Sequence, residues 1–182
     1  GIAAGPRLVR VVKDGAPLEG YRRSGAEMLS RFHQTRFVPD RLETLGNEHH
    51  FLVTIGDRYE FQGYIDRLAR DEAGTLHIID YKTGARPPTR FEGKDAEQLE
   101  AYAIAMFDQT AEDELVLMLE YLRNGSTQVR RIRRSEVAEG RRRLLARIRT
   151  AVDANVFPAR PGTLCDWCGF NDLCDAYPKA RR

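Results

Sequence analysis

The chain has 182 residues, 42% of them hydrophobic and 31% charged, with a net charge of +2. That suits one globular domain, residues 1–182, with a core of its own. No apolar run approaches the roughly 20 residues needed to span a bilayer, so a soluble, cytoplasmic protein with no membrane partner is expected. Gly1-Ile2-Ala3-Ala4-Gly5 lacks both the basic region and the long apolar run of a signal peptide, and without an initiating Met the start reads as a cut end.

In chain order, the short apolar piece 8–12 stays unassigned. Residues 24–37 have amphipathic helical spacing, with Met28, Leu29, Phe32 and Phe37 available to one face, and Pro39 ends the pattern. Residues 51–55 read as a strand, Gly56-Asp57 as a turn and 58–69 as a second strand; Glu72-Ala73-Gly74 then turns into a third, 75–82. These three form an antiparallel meander. Beyond the Pro-rich loop 86–89, residues 96–107 are helical by spacing and 115–122 form an apolar strand. A helix between two strands predicts a right-handed crossover, with 115–122 joining the sheet in parallel. Asn124-Gly125 predicts a hairpin into 127–133. Ser135 is placed as the cap of a helix running to about Val152, with Glu136 in its first turn.

The chemistry concentrates at Asp80-Tyr81-Lys82-Thr83-Gly84, fourteen residues after Asp66. Side chains alternate faces along a strand, so Asp80 and Lys82 share one surface and Tyr81 takes the other. With Asp66 on the neighbouring antiparallel strand, two acidic metal ligands stand beside one lysine. That set can hydrolyse a phosphodiester with Mg²⁺ or Mn²⁺. Arg67 points to the opposite face and is not the partner of Asp66. The plain alternative is a salt bridge from either acid to Lys82 at a strand end.

Gly63-x-x-Asp66-Arg67, a turn, an aliphatic strand and then Asp80-Tyr81-Lys82-Thr83-Gly84 together resemble the RecB-like branch of the PD-(D/E)XK nuclease superfamily, from about Glu48 to the C-terminus. The resemblance implies an α/β (α+β) fold: a restriction-endonuclease-like core of meander, crossover helix and parallel fourth strand, with flanking helices. It makes Asp66 and Asp80 the acidic metal ligands and Lys82 the catalytic lysine, with the carbonyl of Tyr81 as a further oxygen. Glu48 matches an additional acidic position. Gln98 and Tyr102 match the family's Gln-x-x-x-Tyr helix; four apart, they share one helical face. Core packing is the other reading of Tyr102. The implied activity is divalent-metal-dependent, exonuclease-like DNA cleavage in repair or recombination, alone or with a helicase partner. A catalytically inactive DNA-binding or scaffold module is the alternative, and a stand-alone metalloprotein using only the tail a third.

Nine of the twenty residues 130–149 are Arg, opposed within that stretch only by Glu136 and Glu139. They read either as a phosphate track or as a solvated helix face. The three cysteines all lie in the tail, 157–182: Cys165 and Cys168 can reach one metal from a single turn, and Cys174 follows five residues after Cys168. An odd cluster argues against a secreted disulfide scaffold and leaves metal ligation or spare thiols. The same Cys-x2-Cys-x5-Cys tail is similar to that of iron–sulfur nucleases of the RecB-like group, which implies a [4Fe–4S] cluster. No cysteine precedes Cys165 to supply a fourth ligand. Three explanations stand open: a fragment that starts after the missing elements, a lost cluster with free thiols, or a Zn²⁺ site with an outside ligand. His33, His49, His50 and His77 read as surface or structural residues.

Overall fold

The computed structural model describes residues 18–84, 93–162, 164–165, 168–171 and 173–177. Two compact units result: Ala26–Asp153, and the flanking segments up to Gly25 and from Ala154. The apolar piece 8–12 and the Pro-rich loop 86–89 lie outside the described residues.

Helix α1 (Leu18–Phe32) and a π-helical turn (His33–Phe37) precede β1 (Glu43–Ile55), β2 (Tyr59–Arg70) and β3 (Leu76–Lys82). Helix α2 (Gly93–Gln109) leads to β4 (Glu114–Tyr121) and β5 (Ser126–Arg133), and a 3-10 turn (Arg134–Glu136) opens α3 (Val137–Val152). The five strands lie in sequence order, and every neighbouring pair is antiparallel except β3 and β4. The meander, the helix between β3 and β4 and the parallel fourth strand are therefore present as the sequence predicts. Turn chemistry fixes the hairpins: Gly56, Gly74 and Gly125 hold positive φ of 66°, 88° and 69°, which costs a glycine little. Among the described residues no helix is long and apolar enough to cross a membrane.

One sheet face packs on α2. Leu99, Ala103, Ile104 and Phe107 meet Phe51, Ile55, Ile65, Ile78, Leu117 and Leu119 in a single apolar cluster, and Leu144, Leu145 and Ile148 of α3 close its margin. Each large side chain removed from water there contributes about 1.5–3 kcal/mol.

Three expectations change. Helix α1 begins at Leu18 and gives way after Phe32 to the π-helical turn, so the pattern 24–37 is not one helix. Leu29 and Phe37 stay exposed, and Phe32 alone of the four apolar residues makes a ring contact in the core unit beyond its own turn, edge-on to Tyr81 at 5.3 Å. Strand β1 starts eight residues before the predicted Phe51, because its first half is a polar sheet edge without apolar alternation. Ser135 does not cap α3: the Glu136 carboxylate accepts the Arg133 N–H at 2.8 Å, and the 3-10 turn intervenes.

The arginine-rich stretch is mostly engaged. Arg131 and Arg133 pair with Glu114, Arg141 with Asp108, Arg142 with Glu139, Arg143 with Glu100 and Arg147 with Glu97. Apart from Glu139, these acids come from α2 and β4, which a count within the stretch does not see. Among the described residues only Arg130 and Arg149 of the nine have no side-chain ion pair or hydrogen bond. Arg134 closes the end of α2, donating to the carbonyls of Phe107 (2.5 Å), Thr110 (2.8 Å) and Glu112 (2.7 Å), with its guanidinium 5.0 Å from the Phe107 ring. Arg134→Ala strips those orphan carbonyls of their donor and is expected to cost about 1–2 kcal/mol, read as a lower urea midpoint with unchanged slope.

On the sheet's other face, a cavity of about 420 Å³ lies over Ile79, Tyr81, Met118 and Glu120, with Phe32, Arg36, Asp40 and Leu42 among its walls. Glu120 is buried. Its Oε2 accepts Thr127 Oγ1 at 2.9 Å and lies 3.4 Å from Arg36 Nε. Burial pushes its carboxyl above the usual 4.5, and Thr127 and Arg36 only partly offset this. An acid raised in the fold destabilises it once ionised: the penalty is absent below 4.5, grows as pH rises from there through the folded value, and is complete above it. Glu120→Gln is therefore expected to melt above wild type at pH 8 and to lose that advantage toward pH 4, followed by thermal melts across pH.

Candidate active site

Asp66, Asp80 and Lys82 come together where β2 and β3 part. The β2–β3 ladder pairs Arg67 with Ile79, and continuing that register one residue sets Asp66 across from Asp80. Asp66 Oδ2 accepts the Tyr81 N–H at 2.8 Å, which ties its carboxylate to the strand carrying the other acid. Asp80 is 3% exposed, and its Oδ2 stands 2.7 Å from Lys82 Nζ. That contact sets charge against charge without the alignment of a hydrogen bond, and Oδ2 has no other described donor. Tyr81 and Arg67 line the cavity on the opposite face, as alternation requires. Arg67 is held there by Asp40 (2.5 Å) and Thr44 (2.9 Å).

A change of parity in β2 makes this arrangement possible. Gly63 and Ile65 face α2: a Cβ on Gly63 would lie 2.7 Å from Phe51 and 3.5 Å from Tyr102. Leu68 also belongs to the core while Arg67 faces the cavity, so the inward set shifts by one residue at Asp66. Opposite this point the β1–β2 register runs from Asn47–Arg67 to His49–Ile65, which sets Glu48 across from Asp66. Glu48 has φ of 49°, a left-handed backbone unfavourable for a non-glycine residue. It lies inside β1, not ahead of the first strand, and its side chain is exposed.

Helix α2 completes the constellation. Lys82 Nζ donates to Gln98 Oε1 at 2.9 Å, and Gln98 Nε2 donates to Tyr102 Oη at 2.5 Å. Tyr102 is 9% exposed and packs edge-on to Phe51 at 5.4 Å. The ring of this tyrosine belongs to the core, and its hydroxyl accepts from the Gln98 amide. Asp95, one turn before Gln98, lies 3.7 Å from Lys82 Nζ and accepts Tyr121 Oη at 3.5 Å. Sequence reasoning missed it. The i, i+3, i+7 spacing of Asp95, Gln98 and Tyr102 puts all three on one helical face, the signal that could have found it.

Electrostatics bind the group. Burial pushes the Asp80 carboxyl above 3.8; the Lys82 ammonium opposes this, while the charges of Asp66 and Asp95 add to it. For Lys82, burial alone works against the ammonium, but Asp80, Asp95 and Asp66 outweigh it and raise its pKa above 10.5. Lys82 is thus an ammonium at neutral pH, a donor and not a base.

Among the described residues no three His, Cys, Asp or Glu side chains gather as a metal site. The pair Asp66 and Asp80 nonetheless fits Mg²⁺ or Mn²⁺, because such ions take oxygen ligands and are commonly held by one or two carboxylates plus substrate phosphate. A buried carboxylate oxygen without an aligned hydrogen bond suits that use. His77 is structural: Nε2 meets Asp71 Oδ2 at 3.1 Å and Nδ1 meets Met118 Sδ at 3.3 Å. His33 stacks on Phe37, and His50 lies against Tyr64. In the flanking unit Cys165, Cys168 and Cys174 are free thiols, with Cys168 N–H donating to Cys165 O at 3.2 Å, so the first pair shares one turn.

A mixed sheet with one parallel junction, carrying two acids and a lysine at the parting of β2 and β3, defines a nuclease-type α/β domain. The family model of the PD-(D/E)XK nuclease superfamily matches residues 7–175, and the chain belongs to that superfamily, whose members are typically nucleases. No curated protein matches. A solved structure described as "Crystal structure of SSO0001" is similar at 19% identity, covering 94% of this chain and 76% of that one with a TM-score of 0.46.

Proposed function

We propose that the chain is a divalent-metal-dependent deoxyribonuclease of the RecB-like branch, exonuclease-like in action, working in DNA repair or recombination with a helicase as partner. The observation that carries this reading is the junction at Lys82: 2.7 Å from Asp80 and 2.9 Å from Gln98, beside an Asp66 anchored to the same strand. A surface salt bridge alone would need neither the second acid nor the helix face behind the lysine.

Asp66 and Asp80 would hold Mg²⁺ or Mn²⁺, with the Tyr81 carbonyl and Glu48 as further oxygens. When bound, that ion supplies a Lewis acid for the scissile phosphate and lowers the pKa of water. Lys82, kept protonated, directs N–H groups at the water or at a phosphate oxygen and offsets charge developing there. Gln98 holds the ammonium in that direction, and Tyr102 holds Gln98. The ring of Tyr102, seated on Phe51 beneath Gly63, makes this support part of the core.

Incubation of the full chain with end-labelled DNA, with and without Mn²⁺, tests the reading. Metal-dependent shortening is expected. DNA bound equally in both conditions without shortened products would favour a nuclease-like binding module. For the tail we propose a [4Fe–4S] cluster on Cys165, Cys168 and Cys174 with an outside fourth ligand, Zn²⁺ being the alternative. Metal and sulfide analysis of anaerobically prepared protein distinguishes the two.

A further inference from the structure

The Lys82 ammonium has three N–H groups and three neighbours: Asp80 Oδ2 at 2.7 Å, Gln98 Oε1 at 2.9 Å and Asp95 Oδ1 at 3.7 Å. These neighbours are not equivalent. The Asp80 side chain is 4% exposed and the Asp95 side chain 36%, so Asp95 is the more solvent-facing carboxylate of the two and the more distant from the ammonium. It sits in the first turn of α2, where the helix dipole favours a carboxylate. Its other oxygen accepts from Tyr121 Oη at 3.5 Å, and Tyr121 is 1% exposed at the end of β4. Asp95 thus joins three elements at the point where the lysine emerges: the ends of β3 and β4 and the start of α2.

Resting on the nuclease reading above, we propose that Asp95 is a positioning residue for Lys82. It draws the ammonium away from the buried Asp80 toward solvent, and yields that contact when a DNA phosphate arrives. Without it, only Asp80 and Gln98 direct the lysine, and the Asp80 contact pulls the head inward, away from where a phosphodiester would lie. A carboxylate beside the entry also repels a phosphate, so Asp95 opposes ground-state binding while favouring the placement that reaction needs. That combination predicts a split effect.

Asp95→Ala, Asp95→Asn and Asp95→Glu in the full chain test this with Mn²⁺ and end-labelled DNA. Asp95→Ala is expected to lower kcat by about 10- to 100-fold, as misplacement of a reacting group by about 1 Å can do. KM should be unchanged or lower. Asp95→Glu should recover part of the loss and Asp95→Asn less, with all melting temperatures near wild type. Acylation of Lys82 by an amine reagent, read by mass spectrometry against Lys94 as the exposed reference, should fall several-fold in Asp95→Ala whether or not DNA is cleaved. Unchanged kcat, or unchanged Lys82 labelling in an enzyme that cleaves DNA, overturns the positioning role. So does a kcat loss that follows a fall in melting temperature. A wild-type chain that cleaves no DNA with Mg²⁺ or Mn²⁺ overturns the nuclease reading and this positioning role in catalysis with it, while lowered labelling would still establish the contact.

Discussion

Lys82→Ala is expected to lower Mn²⁺-dependent DNA cleavage by about 10²- to 10³-fold, the usual effect of deleting one group aimed at developing charge. DNA affinity should change by no more than about threefold, because one lost cation weakens a phosphate interface only slightly. The structure gives a reason beyond the lost donor. Asp80 is buried, and its ammonium partner sits 2.7 Å away; truncation leaves that carboxyl without its counter-charge, and it should take up a proton more readily still. Gel-resolved single-turnover cleavage alongside fluorescence-anisotropy binding separates the two effects. Cleavage within about threefold of wild type would remove Lys82 from the chemistry.

Asp80→Asn is expected to abolish cleavage and yet to melt higher than wild type at neutral pH. Asparagine keeps the shape beside Lys82 while removing a charge that burial disfavours. The pKa of Asp80 is raised from 3.8, so the folded protein binds this proton more tightly than the unfolded chain. Ionisation then opposes folding: the penalty is absent below 3.8, grows as pH rises from there through the folded value, and is complete above it. The difference in melting temperature should be greatest at neutral pH and should close toward pH 3. A variant that melts below wild type at pH 7 would mean that the Lys82 pair stabilises the fold more than burial of the carboxylate costs, contrary to this view of a site held against its own stability.

The fold was legible where side-chain periodicity and turn residues agree. Gly74 and Asn124-Gly125 mark turns that glycine conformation demands, and the unbroken apolar run of β4 marks a strand buried on both faces. The first half of β1 was not legible. As a sheet edge it buries nothing until Phe51, and its register is set by pairing to β2. The pattern 24–37 misled for a related reason: amphipathic spacing says that a helix can form, not that its apolar face will be covered.

At the site, alternation alone placed Asp80 and Lys82 on one face and Tyr81 on the other, since period two is strict within a short strand. The parity change at Asp66 was invisible: it falls opposite a glutamate with a left-handed backbone on the neighbouring strand, which no spacing rule announces. Asp95 and Arg134 escaped notice because their roles are tertiary: one acts through a lysine at the end of another element, the other through carbonyls at a helix end. Most acids facing the arginine run were out of view for the complementary reason: apart from Glu139 within it, they are supplied by α2 and β4.

Crystals of the full chain soaked in Mn²⁺ and measured for anomalous scattering test the central claim most directly. A single strong peak within coordination distance of both the Asp66 and Asp80 carboxylates, lost in Asp80→Asn, is the predicted result. Manganese bound elsewhere, or the same peak persisting without the Asp80 carboxylate, would contradict it.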